Sequence, residues 1–211
     1  EKMSKSKGNV VNPDEIIANY GTDTLRIYEM FMGPLESAKP WATTGIEGPK
    51  RFLERVHRFF TELAIIDDKN QSLEKIYHQT VKKVTEDFEN LRFNTAISQL
   101  MIFINECYKT PNVPYDFLHG FLKLLNPLAP HLAEELNQTV LNNAEELSYV
   151  SWPTYDAEKI KEDVVTIVIQ INGKIRDRLE VALDTPEDTL KDLAQSSPKI
   201  AEYLGTLQVR K

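Results

Sequence analysis

Apolar residues recur at helical spacing along most of the chain. Leu53, Val56, Phe60 and Leu63 fall at i, i+3, i+7 and i+10, and Leu73, Ile76, Val84, Phe88 and Leu91 form a second stripe. Ile97, Leu100, Met101, Ile104 and Tyr108 make a third; Leu118, Phe121, Leu122 and Leu125 a fourth; Leu128, Leu132, Leu136 and Val140 a fifth. Residues three and four apart share a helix face, so each stripe predicts an amphipathic helix with one buried side. Five such helices joined by short polar or proline breaks predict an α-helical bundle. Two helices are expected ahead of it. Asn12 is placed to cap the first, with Pro13 at its first position, Asp14 and Glu15 in its first turn and Gly21 at its end. Thr22 is expected to cap the second, which runs through Phe31 to the stop at Gly33-Pro34.

The period changes after Ser151-Trp152-Pro153-Thr154. Val164 to Ile171 is rich in Val, Ile and Thr, Asn172-Gly173 is a strong hairpin turn, and Lys174 to Leu183 alternates. Pro186-Glu187-Asp188 opens a helix to about Gln195, a short helix follows Pro198, and Thr206 to Lys211 reads as a strand just starting. The fold class expected is therefore mainly α: a helical bundle followed by a small, truncated α+β domain. The divisions predicted are 1–45, 46–150 for the bundle, a linker over 151–163, and 164–211 for the α+β domain, missing its last strand.

Charge narrows the partners. The 211 residues carry a formal net charge of −7, too acidic for a general cationic coat on nucleic acid. The acidity is concentrated in residues 61–163, with 9 basic and 17 acidic residues, while 1–60 has 9 and 8 and 164–211 has 7 and 7. Both ends are thus able to approach a polyanion. The single cysteine, Cys107, forms no intrachain disulfide or cysteine-rich zinc site and fits a reducing, cytoplasmic setting. No run of about 18 apolar residues predicts a membrane span, and the start at Glu1 has no signal-peptide pattern. A first residue other than Met is expected of a fragment cut from something longer.

The most specific chemistry lies in Lys2-Met3-Ser4-Lys5-Ser6-Lys7-Gly8-Asn9. The composition predicts a mobile polar loop, with ammonium groups, hydroxyls and a glycine suited to a phosphate whose charge grows during reaction. Removing one such donor typically costs about 3–4 kcal/mol. The order of residues goes further. Lys-Met-Ser-Lys-Ser resembles the second signature of class I aminoacyl-tRNA synthetases, and Gly8 to Pro13 and Tyr20-Gly21-Thr22-Asp23-Thr24-Leu25-Arg26 resemble its continuation in the leucine, isoleucine and valine enzymes. The resemblance implies that Lys5 and Lys2 are catalytic, Lys5 stabilising the pyrophosphate leaving group during adenylate formation and Lys2 supporting loop closure. It also implies ATP binding by Lys5, Lys2, Ser4 and Ser6. The family's first, His-Ile-Gly-His-like signature has no match here. His57, His78, His119 and His131 are spread over the helices without a nucleophile or metal spacing.

Further segments sharpen the likeness. Gly45 to Leu53 resembles the opening of the leucyl enzymes' helical domain, Leu125 to His131 with Glu134-Glu135-Leu136 resembles a stretch common to the subgroup, and above all Val168 to Arg176 resembles the C-terminal domain of bacterial leucyl-tRNA synthetases. That implies a bundle of the anticodon-binding type at 46–150, a connector from the catalytic core at 1–45, and a parent leucine-tRNA ligase of the cytoplasm, expected to be monomeric. Its partners would be tRNA(Leu), with leucine and Mg-ATP bound through a catalytic domain outside this chain; no metal ligands and no bound cofactor are expected in the fragment, which alone would be inactive. Self-association through newly exposed surface is expected. The alternatives are the equivalent part of an isoleucyl, valyl or methionyl enzyme, or a helical protein-interaction module.

Two basic stripes are candidate RNA contacts. Arg51, Arg55 and Arg58 fall within about 60° on one helix face. Lys174, Arg176 and Arg178 alternate along one strand and so are expected to share a face. A two-residue turn at Asn172-Gly173 would set Ile169 opposite Arg176, which predicts a bulge restoring Ile169 to the face of Ile175. Trp41 and Trp152 are expected to anchor packing.

Overall fold

Asn12 caps the first helix as its residue type requires. Its side chain accepts the Asp14 N–H at 3.1 Å and Pro13 opens α1, Pro13–Tyr20. Gly21, at φ +88°, is the single residue between α1 and α2, Thr22–Phe31. It takes the cap position expected of Thr22, which instead begins the helix and makes no capping bond. A glycine adopts that positive φ without a Cβ clash, so both helices run up to one shared residue. α1 buries Ile16 against Tyr28 and Ile46 in a small cluster of its own. Trp41 packs edge-on to Tyr28 at 5.0 Å, and the Tyr28 hydroxyl donates to the Ala42 carbonyl at 2.7 Å, which pins the loop that follows α2.

The computed structural model describes residues 2–161, 164–182 and 185–204, and the chain divides into two units, Glu1–Ile160 and Lys161–Lys211. In the first unit the five expected helices are present as α3 (Glu47–Arg58), α4 (Glu74–Glu89), α5 (Phe93–Lys109), α6 (Tyr115–Leu125) and α7 (Pro130–Thr139). α3 continues through Phe59–Leu63 in a wider π turn, which keeps Phe59 and Phe60 both in the core. The main core joins Phe52 and Val56 of α3, Val81 and Val84 of α4, Leu100 and Ile104 of α5, and Leu118, Phe121 and Leu122 of α6. Tyr77 stacks on Phe117 at 4.3 Å between ring centres. Leu91 departs from its stripe: it is 57% exposed at φ +55°, in the turn between α4 and α5. The helix has ended at Glu89, so the helical period no longer aims Leu91 inward.

Two features of this unit have no periodic signal behind them. Residues Ile65–Ile66 (β1) pair in parallel with Asn112–Val113 (β2), so the α3–α4 and α5–α6 connections run side by side. Residues 152–159 lie antiparallel along α4. The Trp152 Nε1–H donates to Thr85 at 2.8 Å, Lys82 sits 5.9 Å over the Tyr155 ring, the Asp156 N–H donates to His78 Nδ1 at 3.1 Å, and Lys159 pairs with Glu74. Trp152 anchors packing, as expected, 5.6 Å from Phe88.

The second unit is a hairpin with two helices. Strands β3 (Val164–Ile171) and β4 (Lys174–Ala182) pair antiparallel across Asn172 and Gly173, at φ +52° and +75°. Two successive positive φ values match the twist of a two-residue hairpin turn. α8 (Glu187–Ser196) and α9 (Pro198–Leu204) follow, and Val181 and Ile200 are buried. Asp177 accepts the Ser197 hydroxyl and Lys199 Nζ, the latter at 3.1 Å. Those bonds, Ser197 first, hold its carboxyl below the usual range. The strand expected over 206–211 and the end of β4 at Leu183 lie outside the described residues.

Candidate nucleotide loop and nucleic-acid interface

Lys2, Lys5 and Lys7 are all exposed at the start of the chain. The segment expected to be a mobile loop carries a short 3₁₀ turn over Lys5–Lys7. Asn9 organises it: its Oδ1 accepts the Ser4 N–H at 2.8 Å, while the Ser4 and Ser6 hydroxyls lie 3.2 Å apart. Gly8 closes the turn at φ +64°, its N–H donating to the Lys5 carbonyl at 3.2 Å. Ser4, Lys5 and Ser6 thus fall on one small polar turn, and Lys2 lies two residues ahead of it, exposed like Lys5. Such a turn suits the phosphates of a nucleotide: the ammonium groups supply charge, and the hydroxyl pair and the asparagine shape the backbone. Among the described residues no group of three or more His, Cys, Asp or Glu is placed to hold a metal ion.

Arg51, Arg55 and Arg58 are exposed along α3, opposite the buried Phe52, Leu53 and Val56. They differ in freedom. Arg51 Nε donates to the Glu47 carbonyl at 3.2 Å, within its own helix, and Arg58 pairs with Glu62 at 3.1 Å, both side chains more than half exposed. Such surface pairs contribute about 0–1 kcal/mol and exchange readily for a phosphate. Arg55 is held more firmly. It donates to Asn105 Oδ1 at 2.8 Å, lies 4.3 Å from the Tyr108 ring centre, and its carbonyl accepts the Tyr108 hydroxyl at 3.0 Å. The face therefore combines one anchored guanidinium with two exchangeable ones.

The strand stripe is not brought together. The bulge expected in the hairpin exists, with Ile169 opposite Asp177 and Gln170 opposite Ile175, so Arg176 is the extra residue. Beyond it the faces invert. Lys174 lies opposite Ile171, on the side of Val165, Ile167 and Ile169, whereas Arg178 lies opposite Val168 on the other side. The two-residue period holds only in an uninterrupted strand, and the extra residue turns Lys174 away from Arg178. Ile175 joins Gln170, not Ile169, as the two-residue turn alone sets it, and is 55% exposed. Arg176 itself is half-buried.

Sequence reasoning missed one constellation. Asp23, buried in α2, accepts the Leu132 N–H at 2.8 Å and lies 2.7 Å from His131 Nδ1. These residues line an open cleft of about 420 Å³ together with Tyr20, Thr22, Glu54 and His57. A separation of 108 residues between Asp23 and His131 leaves no local pattern to read. The remaining histidines, His78 and His119, are partly buried, and burial is the main cause that lowers both from the usual imidazole range.

Residues 1–39 match the family described as tRNA synthetases class I (I, L, M and V). Residues 70–191, more than half of the chain, match the anticodon-binding domain of tRNA ligase, and the chain belongs to that family. The fold is also similar to the LeuRS of Agrobacterium radiobacter K84 agnB2, solved as a ternary complex with tRNA and LeuAMS. The likeness has a TM-score of 0.82 and 26% identity over 100% of this chain and 30% of that one. No helix of the described residues is long and apolar enough to cross a membrane.

Proposed function

We propose that this chain is the tRNA-facing part of a leucine-tRNA ligase, an enzyme that forms leucyl-adenylate from leucine and ATP and transfers leucine to tRNA(Leu). The single observation that carries this reading is the similarity to the LeuRS complex over 100% of the chain, which takes in lysine turn, bundle and hairpin in one order. In this reading residues 1–45 connect to the catalytic core and 46–150 bind the tRNA body, while 151–163 link to a C-terminal domain at 164–211. The cell compartment is the cytoplasm, and the full enzyme acts as a monomer.

ATP is a substrate whose phosphates fit the residues present. Lys5 places an ammonium where negative charge develops on the departing pyrophosphate, Lys2 adds charge as the loop closes, and Ser4 and Ser6 hold the turn's shape. Positioning and charge stabilisation are the main contributions a protein makes to phosphoryl and adenylyl chemistry. Arg51, Arg55 and Arg58 contact the tRNA backbone, with Lys174, Arg176 and Arg178 on separate faces of the hairpin as secondary contacts. Contacts of this kind read phosphate and shape more than base identity.

Amino-acid-dependent pyrophosphate exchange by the full-length protein tests the assignment. Leucine supports exchange, and isoleucine, valine and methionine do not; Lys5→Ala lowers the exchange rate by about 100-fold or more and leaves tRNA affinity within about threefold. Exchange with one of the other three amino acids in place of leucine, or an unchanged rate for Lys5→Ala, overturns it.

A further inference from the structure

The lysine turn reaches the bundle through α2. α1 packs in the small cluster of Ile16, Tyr28 and Ile46, separate from the main core, whereas Ile27 of α2 is fully buried in that main core. Met30 and Phe31 of the same helix pack against that core as well, so apolar contact seats α2 on the bundle. Two charged side chains three residues apart on one face of α2 add directional hydrogen bonds. Arg26 Nε donates to the Leu128 carbonyl at 3.1 Å and Nη2 to the Pro127 carbonyl at 2.7 Å, both just past the end of α6. Asp23 accepts the Leu132 N–H at 2.8 Å in the first turn of α7.

The signs match the helix ends. A cation meets the carbonyl end of one helix and an anion meets the amide end of the next, each satisfying backbone groups that the corner between α6 and α7 leaves free. His131 adds a second contact to Asp23 at 2.7 Å. The pair spans more than 100 residues and joins the segment matched by the class I synthetase model to the segment matched by the anticodon-binding model.

We infer that Asp23 and Arg26 are positioning residues: they set the angle between the α1–α2 arm, which carries the lysine turn, and the tRNA-binding bundle. Their role in charging rests on the function proposed above; the geometric role does not. When the clamp is released, tRNA still binds the bundle but its acceptor end arrives misplaced. A displacement of about 1 Å far from the chemistry is enough to cost on the order of 100-fold in rate.

Two measurements test this. In the first, spin labels at Ala18→Cys on α1 and Glu135→Cys on α7 report the distance across the clamp by pulsed electron resonance. Both positions are exposed, and Cys107 is buried with its thiol pushed up to about 12, so it takes no label. The unsubstituted clamp gives one narrow distance, Arg26→Met broadens it, and Arg26→Lys, which keeps one donor, narrows it again. Equal widths in all three overturn the inference. In the second, full-length Arg26→Met keeps leucine-dependent pyrophosphate exchange and the KM for tRNA(Leu) within about threefold of the parent, while kcat for charging falls by about tenfold or more, recovered in part by Arg26→Lys. An unchanged kcat, or an equal loss of exchange and charging, overturns it. A parent enzyme with no leucine-dependent exchange sinks the leucyl reading alone and leaves the distance measurement to decide the clamp.

Discussion

Tyr77 and Cys107 show how far a single buried group reaches. Burial raises the Tyr77 phenol from 10.0 to about 12, with the Asp116 carboxylate adding to the effect, and raises the Cys107 thiol from 9.0 to about 12. Each group keeps its proton in the folded chain at a pH where the unfolded chain has lost it. Folded molecules then bind more protons than unfolded ones, so stability is fully present below pH 9 and falls as pH rises towards 12. A pKa higher by one in the folded chain than in the unfolded one corresponds to about 1.4 kcal/mol. Urea midpoints measured at pH 8 and pH 10.5 are therefore expected to fall steeply for this chain and less steeply for Tyr77→Phe with Cys107→Ala. Parallel slopes would show that neither group governs the alkaline limb. Nothing local marks either residue for this. Tyr77 and Cys107 sit at apolar positions of their helices, and the neighbours that packing brings set how tightly each proton is held.

Among the helices, Gly120 in the middle of α6 looks like a weakness, since alanine is the better helix former by about 1 kcal/mol. The packing reverses that preference. A Cβ at Gly120 would lie 2.0 Å from the Tyr77 hydroxyl oxygen and 2.8 Å from the carbon that bears it, on a ring already stacked against Phe117. Gly120→Ala is expected to destabilise the chain by about 1–3 kcal/mol through overpacking, and to regain that loss in the Tyr77→Phe background only in part, because two ring carbons, at 2.8 and 2.9 Å, remain in phenylalanine. Thermal denaturation of the three variants measures it; a stabilised Gly120→Ala would be incompatible with this packing. The helices themselves were legible because each stripe of apolar residues is local, and the hairpin because Asn172-Gly173 admits few other conformations. The bulge was also legible, from the clash of apolar and basic faces that a plain turn would cause. Its consequence was not: an inserted residue inverts faces across the bulge, so Lys174 and Arg178 separate, while Ile175 keeps the exposed place opposite Gln170 that the two-residue turn gives it. Leu91 was misplaced for a related reason, a period carried two residues past the end of its helix.

For the molecule as a whole, the mainly helical architecture followed from pattern, while its internal connections did not. Asp23, Arg26 and His131 lie in segments that carry the family resemblance, but nothing local pairs them; only the fold sets an α2 acid and base against the facing ends of α7 and α6. The candidate RNA face shows both sides of this. Its angular grouping on α3 follows from 100° per residue, but the anchoring of Arg55 by Asn105 and Tyr108 belongs to the packing of α5. Whether this face holds a tRNA body by its phosphates is decided by filter binding of a tRNA(Leu) transcript over a range of salt. Changing Arg51, Arg55 and Arg58 together to Gln is expected to weaken binding by about tenfold or more near 0.1 M salt and to reduce the salt slope by about 2 to 3, roughly one for each phosphate left without its guanidinium. Unchanged affinity with an unchanged slope, in a variant whose circular dichroism matches the parent, would refute the assignment of this face to tRNA.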